Sequence, residues 1–392
     1  VSDTFVDLYL KHTNIYESPS SFWKWAAYST ISTVLRDKCY IKNGDSLLFP
    51  NLYVLFIAES SGHRKNRPIE FSESLVNQIP GIKTISGRAS VPAILDELAR
   101  TETNNNGKVI KSNSATFFAT ELSAAIVNDP EGMKTLTDIY DYKQNPYKHR
   151  LRTGPSFDLQ RVVFSMLSGS NEDMLHGLFD QTVIRGGFLA RTLLITPNEF
   201  RPSNSLLRID HDALKASREI LLQHLRKVAQ LTGEFKLEEN AVEEYENWYN
   251  PFRQDYAKKK EVSGIVGRIH THVLKVATVV AANELTQCIQ KRHIEQAIEE
   301  CLSLMSNYSI FTMNHAKTEI GSIGGIVITN LFETKNYMLS RKVLIRNNWQ
   351  NFDVDLLDKA LIALEEAGFI VQHVMKDGIH YQLTKQALDM LQ

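Results

Sequence analysis

NLYVLFIAESSGHRKN, residues 51–66, is the stretch from which the fold is read. An apolar run over residues 52–58 meets a turn cluster of Ser60, Ser61 and Gly62, and a basic run holding Lys65 follows. This pattern predicts a buried parallel strand, a small-residue loop and a helix beginning near Arg67. In that setting, backbone N–H groups at the loop and helix start face phosphate oxygens, and one lysine adds a point charge. Ser61, Gly62, His63, Arg64, Lys65 and Asn66 are therefore the candidate nucleotide-binding residues. Against the pattern GxxxxGK followed by Ser or Thr, only Lys65 matches. Glu59 and Arg64 stand at the two glycine positions, and Asn66 stands where a hydroxyl would hold Mg²⁺. Taken alone, the stretch also reads as an ordinary strand–turn–helix with a surface lysine.

Upstream, DTFVDLYLKH and FWKWAAYSTISTVL predict two helices within residues 3–36. The second is apolar enough to be largely buried, with Phe22, Trp23 and Trp25 in the core. KCYIKNGDSLLFPN predicts two short strands turning at Asn43 and Gly44. Downstream, RPIEFSESLVNQI and VPAILDELART predict helices, with Pro68 allowed in a first turn, and TNNNGKVIKSNS predicts an exposed loop.

Three more apolar runs predict three more buried strands. ATFFATEL ends on Glu121, where a carboxylate can polarise an attacking water; the plainer reading starts a helix there. VVFSMLSGSN ends on Asn171, placed to orient water or touch a phosphate. RGGFLARTLLITP carries Arg191 between a glycine pair and the fourth strand. Between the second and third strands lies DYKQNPYKHRLRTGPSFDLQR, in which Lys143, Lys148, Arg150 and Arg152 alternate with Tyr142, Tyr147 and Phe157. Basic and aromatic residues in a turn-rich ribbon suit contact with nucleic-acid backbone and bases, and a solvated loop is the alternative.

Residues 204–315 predict helices almost throughout, with Arg268 in the early turn of VSGIVGRIHTHVLKVATVVAANE. His270 and His272 are two apart, point to different helix faces and make a poor metal pair. The last 75 or so residues predict three helices and a two-stranded ribbon turning at Asp377 and Gly378, the layout of a winged helix–turn–helix. Its third helix carries Asp355, Asp358, Glu365 and Glu366 against Lys359 alone, which opposes phosphate contact and favours a protein partner.

Composition narrows the class. With 392 residues, 43% hydrophobic and 23% charged, the chain can form two or three soluble globular domains. A net charge of −1 excludes a protein that coats nucleic acid by bulk charge. Cys39, Cys288 and Cys301 fit neither a disulfide framework nor a zinc site, so a reducing cytoplasm is expected. No apolar run approaches 18 residues and no leader is legible, so no membrane partner is expected. There is no GxSxG elbow and no thiol or zinc constellation for other hydrolytic chemistry.

The order of these elements carries a resemblance. PNLYVLFIAESSGHRKN, ATELS, SGSN and GGFLARTLLITP fall where a phage and mobile-element family of helicase/primase-like proteins, known as a domain of unknown function, has its motifs. The helical part and the C-terminal part resemble the lid and winged helix of minichromosome-maintenance helicases. The resemblance implies an α/β P-loop NTPase core of the AAA+ or RecA-like kind. Its expected parts are N-terminal helices and a hairpin over residues 1–50, the core over 51–203, an all-α lid over 204–318 and a winged helix over 319–392. It implies a DNA-associated, ring-forming homo-oligomeric ATPase or helicase-like motor in replication of a phage, plasmid or mobile element. ATP and Mg²⁺ would be its cofactors and single-stranded or forked DNA its partner. In that scheme Lys65 binds phosphate, Glu121 activates water and Asn171 is the sensor. Arg191 reaches a neighbouring subunit, Arg268 is the lid sensor, and Asn66 is the candidate Mg²⁺ ligand. Asn66 and Thr120 depart from the usual metal-holding residues, which leaves an inert AAA+-like scaffold as the alternative.

Overall fold

The computed structural model describes residues 3–59, 63–100, 102–103, 109–110, 112–122, 126, 129–149, 156–171, 187–201, 210–256, 264–308, 319–349 and 353–391. Its contacts divide the chain into two compact units, Val1–Leu302 and Ser303–Gln392.

The first unit opens on helices α1 (Phe5–Thr13) and α2 (Ser20–Leu35). Thr4 and Asp7 cap α1 reciprocally, each side chain accepting from the other's backbone N–H. α2 is buried nearly all round, with Phe22 and Trp23 fully enclosed and Trp25 at 2% exposure, as its apolar sequence predicts. Strands β1 (Cys39–Asn43) and β2 (Ser46–Leu48) form the expected hairpin. Gly44 turns it at φ +62°, a region open to glycine at little cost.

The residue 51–66 stretch then yields β3 (Tyr53–Ile57) and α3 (Asn66–Val76). Every β3 side chain is buried, as in a strand covered on both faces. β4 (Thr84–Ser86), α4 (Val91–Ala99), the short pair β5 (Glu102–Thr103) and β6 (Val109–Ile110), and β7 (Ser114–Ala119) follow. Next come α5 (Pro130–Tyr140), the antiparallel pair β8 (Tyr147–His149) and β9 (Phe157–Leu159), β10 (Val163–Ser170) and β11 (Thr192–Ile195).

Five of these strands make one parallel sheet in the order β11-β3-β10-β7-β4. Four strands were expected. The fifth, β4, is a three-residue edge strand of half-exposed, partly polar residues, so it presents no apolar run. Counted along the chain, the order is 5-1-4-3-2. β3 therefore connects toward the β4 edge, whereas β10 connects across β3 to β11. Such a reversal between neighbouring strands opens a crevice at their carboxyl ends.

The remainder of the first unit is helical, as predicted: α6 (His211–Val228), α7 (Glu239–Tyr256), α8 (Ile269–Asn283) and α9 (Lys291–Leu302). Short strands β12 (Gly233–Glu234), β13 (Lys236–Leu237) and β14 (Cys288–Ile289) tie them together, β12 pairing with β1. α8 buries all but two of its fifteen residues and packs on α2 and α9. The helices of residues 211–302 thus belong to the same compact unit as the sheet.

The second unit contains α10 (Glu319–Phe332), β15 (Met338–Ser340), α11 (Arg341–Asn348), α12 (Val354–Glu366), β16 (Ile370–Met375), β17 (Gly378–Leu383) and α13 (Lys385–Leu391). The antiparallel sheet runs β15-β17-β16. Ile323, Val327, Leu331, Leu344, Leu357, Leu361 and Ile370 form its core. Asp353 caps α12 and Ser340 caps α11.

Candidate functional site at the carboxyl end of the sheet

The carboxyl ends of β3, β10 and β7 are tied edge to edge. Ala58 N donates to Ser170 O at 3.3 Å, and Leu122 N donates to Gly169 O at 2.7 Å. At Gly169 a Cβ would lie 2.7 Å from the Thr120 carbonyl oxygen and 3.4 Å from Cδ of Lys65. The glycine therefore lets the β7 end close on β10 and leaves a trough along which the Lys65 side chain lies.

Lys65 is buried, and its Nζ donates to the Ala58 carbonyl at 3.3 Å. Burial pushes the ammonium below the ordinary lysine value, and the Glu121 carboxylate opposes that shift. Glu121 Oε1 and Ser168 Oγ are both buried without a hydrogen-bond partner. A carboxylate oxygen held that way costs free energy unless something completes the site. The described residues thus bring Lys65 and Glu121 together across the end of β10, in the β3–β10 crevice. Asn171 stands at the tip of β10, where Ser170 Oγ donates to its carbonyl at 3.3 Å.

The rest of the predicted loop is divided. Ser61 and Gly62 lie outside the described residues. Arg64 adopts φ +48° and turns outward, where its Nε meets Glu17 at 3.1 Å and its carbonyl accepts from Ser18 Oγ at 3.0 Å. Asn66 is exposed at the first position of α3. His63 is half-buried, with Nδ1 enclosed and unpartnered, and its ring lies nearly perpendicular to that of Phe200 at a centroid distance of 5.8 Å. A lysine, an unpartnered carboxylate oxygen and a helix start fit a polyphosphate with an attacking water. For Mg²⁺ the set is thin. Among the described residues the Asn66 amide stands at the helix start, and no three His, Cys, Asp or Glu side chains converge on a metal-sized site.

Arg191 and Arg268 lie elsewhere. Arg191 precedes β11, whose Thr192 is in register with Tyr53 at the start of β3. Lys65 lies against the far end of β10, roughly 15 Å away along the strands. Instead, Asp141 at the end of α5 gathers both arginines. Arg268 Nη1 donates to its two oxygens at 2.8 and 2.7 Å, and Arg191 Nε and Nη2 donate to Oδ2 at 3.1 and 2.8 Å. Arg191 Nη1 donates to the Gly187 carbonyl at 2.9 Å. The projecting side chain expected of Arg191 is in fact only 13% exposed and is satisfied within its own chain.

Sequence reasoning missed Asp141, and with it Lys275. The Lys275 Nζ donates to Asn51 Oδ1 at 2.6 Å and lies 3.9 Å from the Tyr140 ring centroid. Burial pushes Lys275 down to about 7. His272 packs beside it, Nε2 lying 2.9 Å from the Ala190 carbonyl, which agrees with a packing role. Asn51 holds the entrance of β3, its amide donating to the Tyr140 and Phe164 carbonyls at 3.0 Å each.

The basic–aromatic ribbon is the β8–β9 hairpin. Lys148 is exposed opposite Asp158 in the pairing register. Lys143 is exposed, with its Nζ 3.4 Å from Asp138. Arg150 and Arg152 lie outside the described residues.

No protein-family model matches the chain, and no curated protein matches it in sequence. Among the described residues no helix is long and apolar enough to cross a membrane.

Proposed function

We propose that the chain is a nucleoside-triphosphate hydrolase of the AAA+ kind, a DNA-associated, helicase-like motor with its nucleotide at Lys65. The observation that carries this reading is that buried Lys65 feels the charge of Glu121, whose Oε1 is buried without a partner, at the reversal point of a 5-1-4-3-2 parallel sheet. Lys65 binds phosphate oxygens, and the start of α3 adds its N–H groups. Glu121 orients water and takes its proton, and Asn171 positions it. Bound Mg²⁺ would supply charge neutralisation between phosphate oxygens, with Asn66 as its protein contact. The helices of residues 211–302 stand for the lid, and the second unit for a winged helix. The exposed Lys143 and Lys148 on and beside the β8–β9 hairpin are the DNA contacts.

Binding of labelled ATP with Mg²⁺ to the purified chain, removed by Lys65→Ala, tests the reading. Glu121→Gln should keep that binding and slow turnover by about 10²–10⁴-fold. The second reading, an inert scaffold of the same fold, is favoured by Arg191. All three of its nitrogen groups are engaged in its own chain. Absence of turnover by the wild type with single-stranded DNA present, together with retained ATP binding, selects the scaffold.

A further inference from the structure

Phe200 is the most exposed aromatic ring among the described residues of the first unit, at 77%. An exposed phenylalanine is unremarkable when its backbone is loose. Here the backbone is pinned on both sides. Glu199 Oε1 accepts from Ser20 N at 3.0 Å, and Asn198 Oδ1 accepts from Ser21 N at 3.1 Å. Arg201 pairs with Glu199 at 2.9 Å, and its Nη1 donates to the Tyr16 carbonyl at 3.4 Å. The flanking side chains bind inward to the first turn of α2 and the α1–α2 turn, while Phe200 stands in solvent.

Its position is equally specific. The 196–201 segment leaves the carboxyl end of β11, the strand beside β3 on the side away from β10. There the Phe200 ring lies nearly perpendicular to that of His63, two residues before Lys65. Tyr16, whose carbonyl holds Arg201, has the guanidinium of Arg67 4.9 Å from its ring centroid. Phosphates at the β3–β10 crevice would leave the other end of a nucleotide over β3 and β11, toward this ring.

We propose that Phe200, with His63 at its rim, is the platform on which the base of a bound nucleoside triphosphate stacks. The inference rests on the reading of Lys65 as a phosphate ligand. A flat aromatic face accepts any base, because every base has a π-face. Glu199, Asn198 and Arg201 are committed to the protein, and the unpartnered Nδ1 of His63 is enclosed, so stacking on Phe200 sets the affinity for the base. The site should accept ATP and GTP alike.

Calorimetric titration of the full chain with ATP, GTP and inorganic tripolyphosphate, each with Mg²⁺, separates the two ends of the ligand. Phe200→Ala should weaken ATP and GTP roughly 5- to 150-fold, the span of one base–aromatic stack. It should leave tripolyphosphate unchanged, and Phe200→Trp should restore both nucleotides. If Phe200→Ala leaves ATP affinity unchanged while Lys65→Ala abolishes it, the platform is wrong and the phosphate site stands. Equal weakening of tripolyphosphate would make Phe200 a structural residue and overturn the proposal. A wild type that binds neither nucleotide nor tripolyphosphate would overturn platform and phosphate site together.

Discussion

Arg191 and Asp141, fifty residues apart, form a two-pronged pair at the amino end of the sheet, with Nε and Nη2 of the one at 3.1 and 2.8 Å from Oδ2 of the other. Asp141 also holds Arg268, so the two partners are not equivalent. Removing Arg191 leaves Asp141 paired; removing Asp141 leaves two guanidinium groups without their carboxylate. Asp141→Ala should therefore cost more in urea denaturation, roughly 2–3 kcal/mol against about 1 for Arg191→Ala. The partial exposure of the cluster keeps both below the range for a fully buried pair. Equal losses would show that Arg268 shares little of the carboxylate.

The same pair decides whether Arg191 works across subunits. If it leaves Asp141 to reach the nucleotide of a neighbour, Arg191→Ala abolishes turnover without unfolding the chain. Mixing that variant with Lys65→Ala then restores some activity, because one hybrid interface combines an intact Lys65 with an intact Arg191. No recovery, in assemblies shown to exchange subunits, would leave Arg191 as a structural residue.

Asp141 and Lys275 both make stability rise with pH, in two separate windows and for opposite reasons. Burial raises the Asp141 carboxyl, but Arg191, Arg268 and Lys275 outweigh it and hold the group below its ordinary value. The stability this contributes is present above the unfolded carboxylate value, about 3.9, and is lost as pH falls through the lower folded value. Lys275 is shifted down by the cost of burying its charge, and its folded value of about 7 lies below that of an unfolded lysine. Between about 7 and about 10.4 the unfolded chain binds the extra proton, so stability rises with pH across that window. Chemical denaturation from pH 7 to 10 should show this upward slope in the wild type and a flatter one in Lys275→Met. An identical slope in both would show that Lys275 stays protonated in the fold.

Gly169→Ala tests the trough directly. The new methyl would meet the Thr120 carbonyl, a backbone atom that cannot rotate away, as well as the Lys65 stem. The strand ends must separate, at a cost of about 1–3 kcal/mol, and Lys65 must shift. Thermal unfolding should report the first effect and ATP affinity the second. A variant with wild-type affinity would mean that the path of Lys65 along Gly169 is not needed for binding.

What could be read from the chain alone was local. β3, β7 and β10 announce themselves because a strand buried on both faces is built mainly of apolar and small residues, and these three are buried throughout. Lys65 and Glu121 follow because each comes just after such a strand. β4 is short, and neither its residues nor their exposure sets it apart from a loop. Asp141 reads as a helix-end residue until the fold brings Arg268 from 127 positions away. Lys275 sits in a helix that reads as simply apolar, and its partner Asn51 is 224 positions distant. Gly169 lies in the SGSN tip of a strand, but its close approach to Thr120 is a property of two strands together. Phe200 carries no periodic signal, and only its pinned neighbours and its meeting with His63 distinguish it.

The β8–β9 hairpin and the second unit make opposite predictions for DNA. Lys148 and Lys143 are exposed on and beside the hairpin, with Arg150 and Arg152 following in sequence. α12 of the second unit carries Asp355, Asp358, Glu365 and Glu366, and Arg341 is already paired with Asp358 at 2.7 Å. Every phosphate that no longer meets a cationic side chain lowers the slope of log affinity against log salt by about 0.7–0.9. Replacing Lys148, Arg150 and Arg152 by Ala should therefore weaken binding of single-stranded DNA and reduce that slope by roughly two units if all three touch phosphate. Lys148→Ala alone should lower it by one such step. Deleting residues 320–392 should leave both affinity and slope close to wild type, because an acidic helix face repels the phosphate chain. An unchanged slope in the triple variant would return the hairpin to the status of a solvated ribbon. A collapse of binding on deletion would move the DNA interface to the second unit, with Arg346, Lys342 and Lys376 as the side chains to replace next.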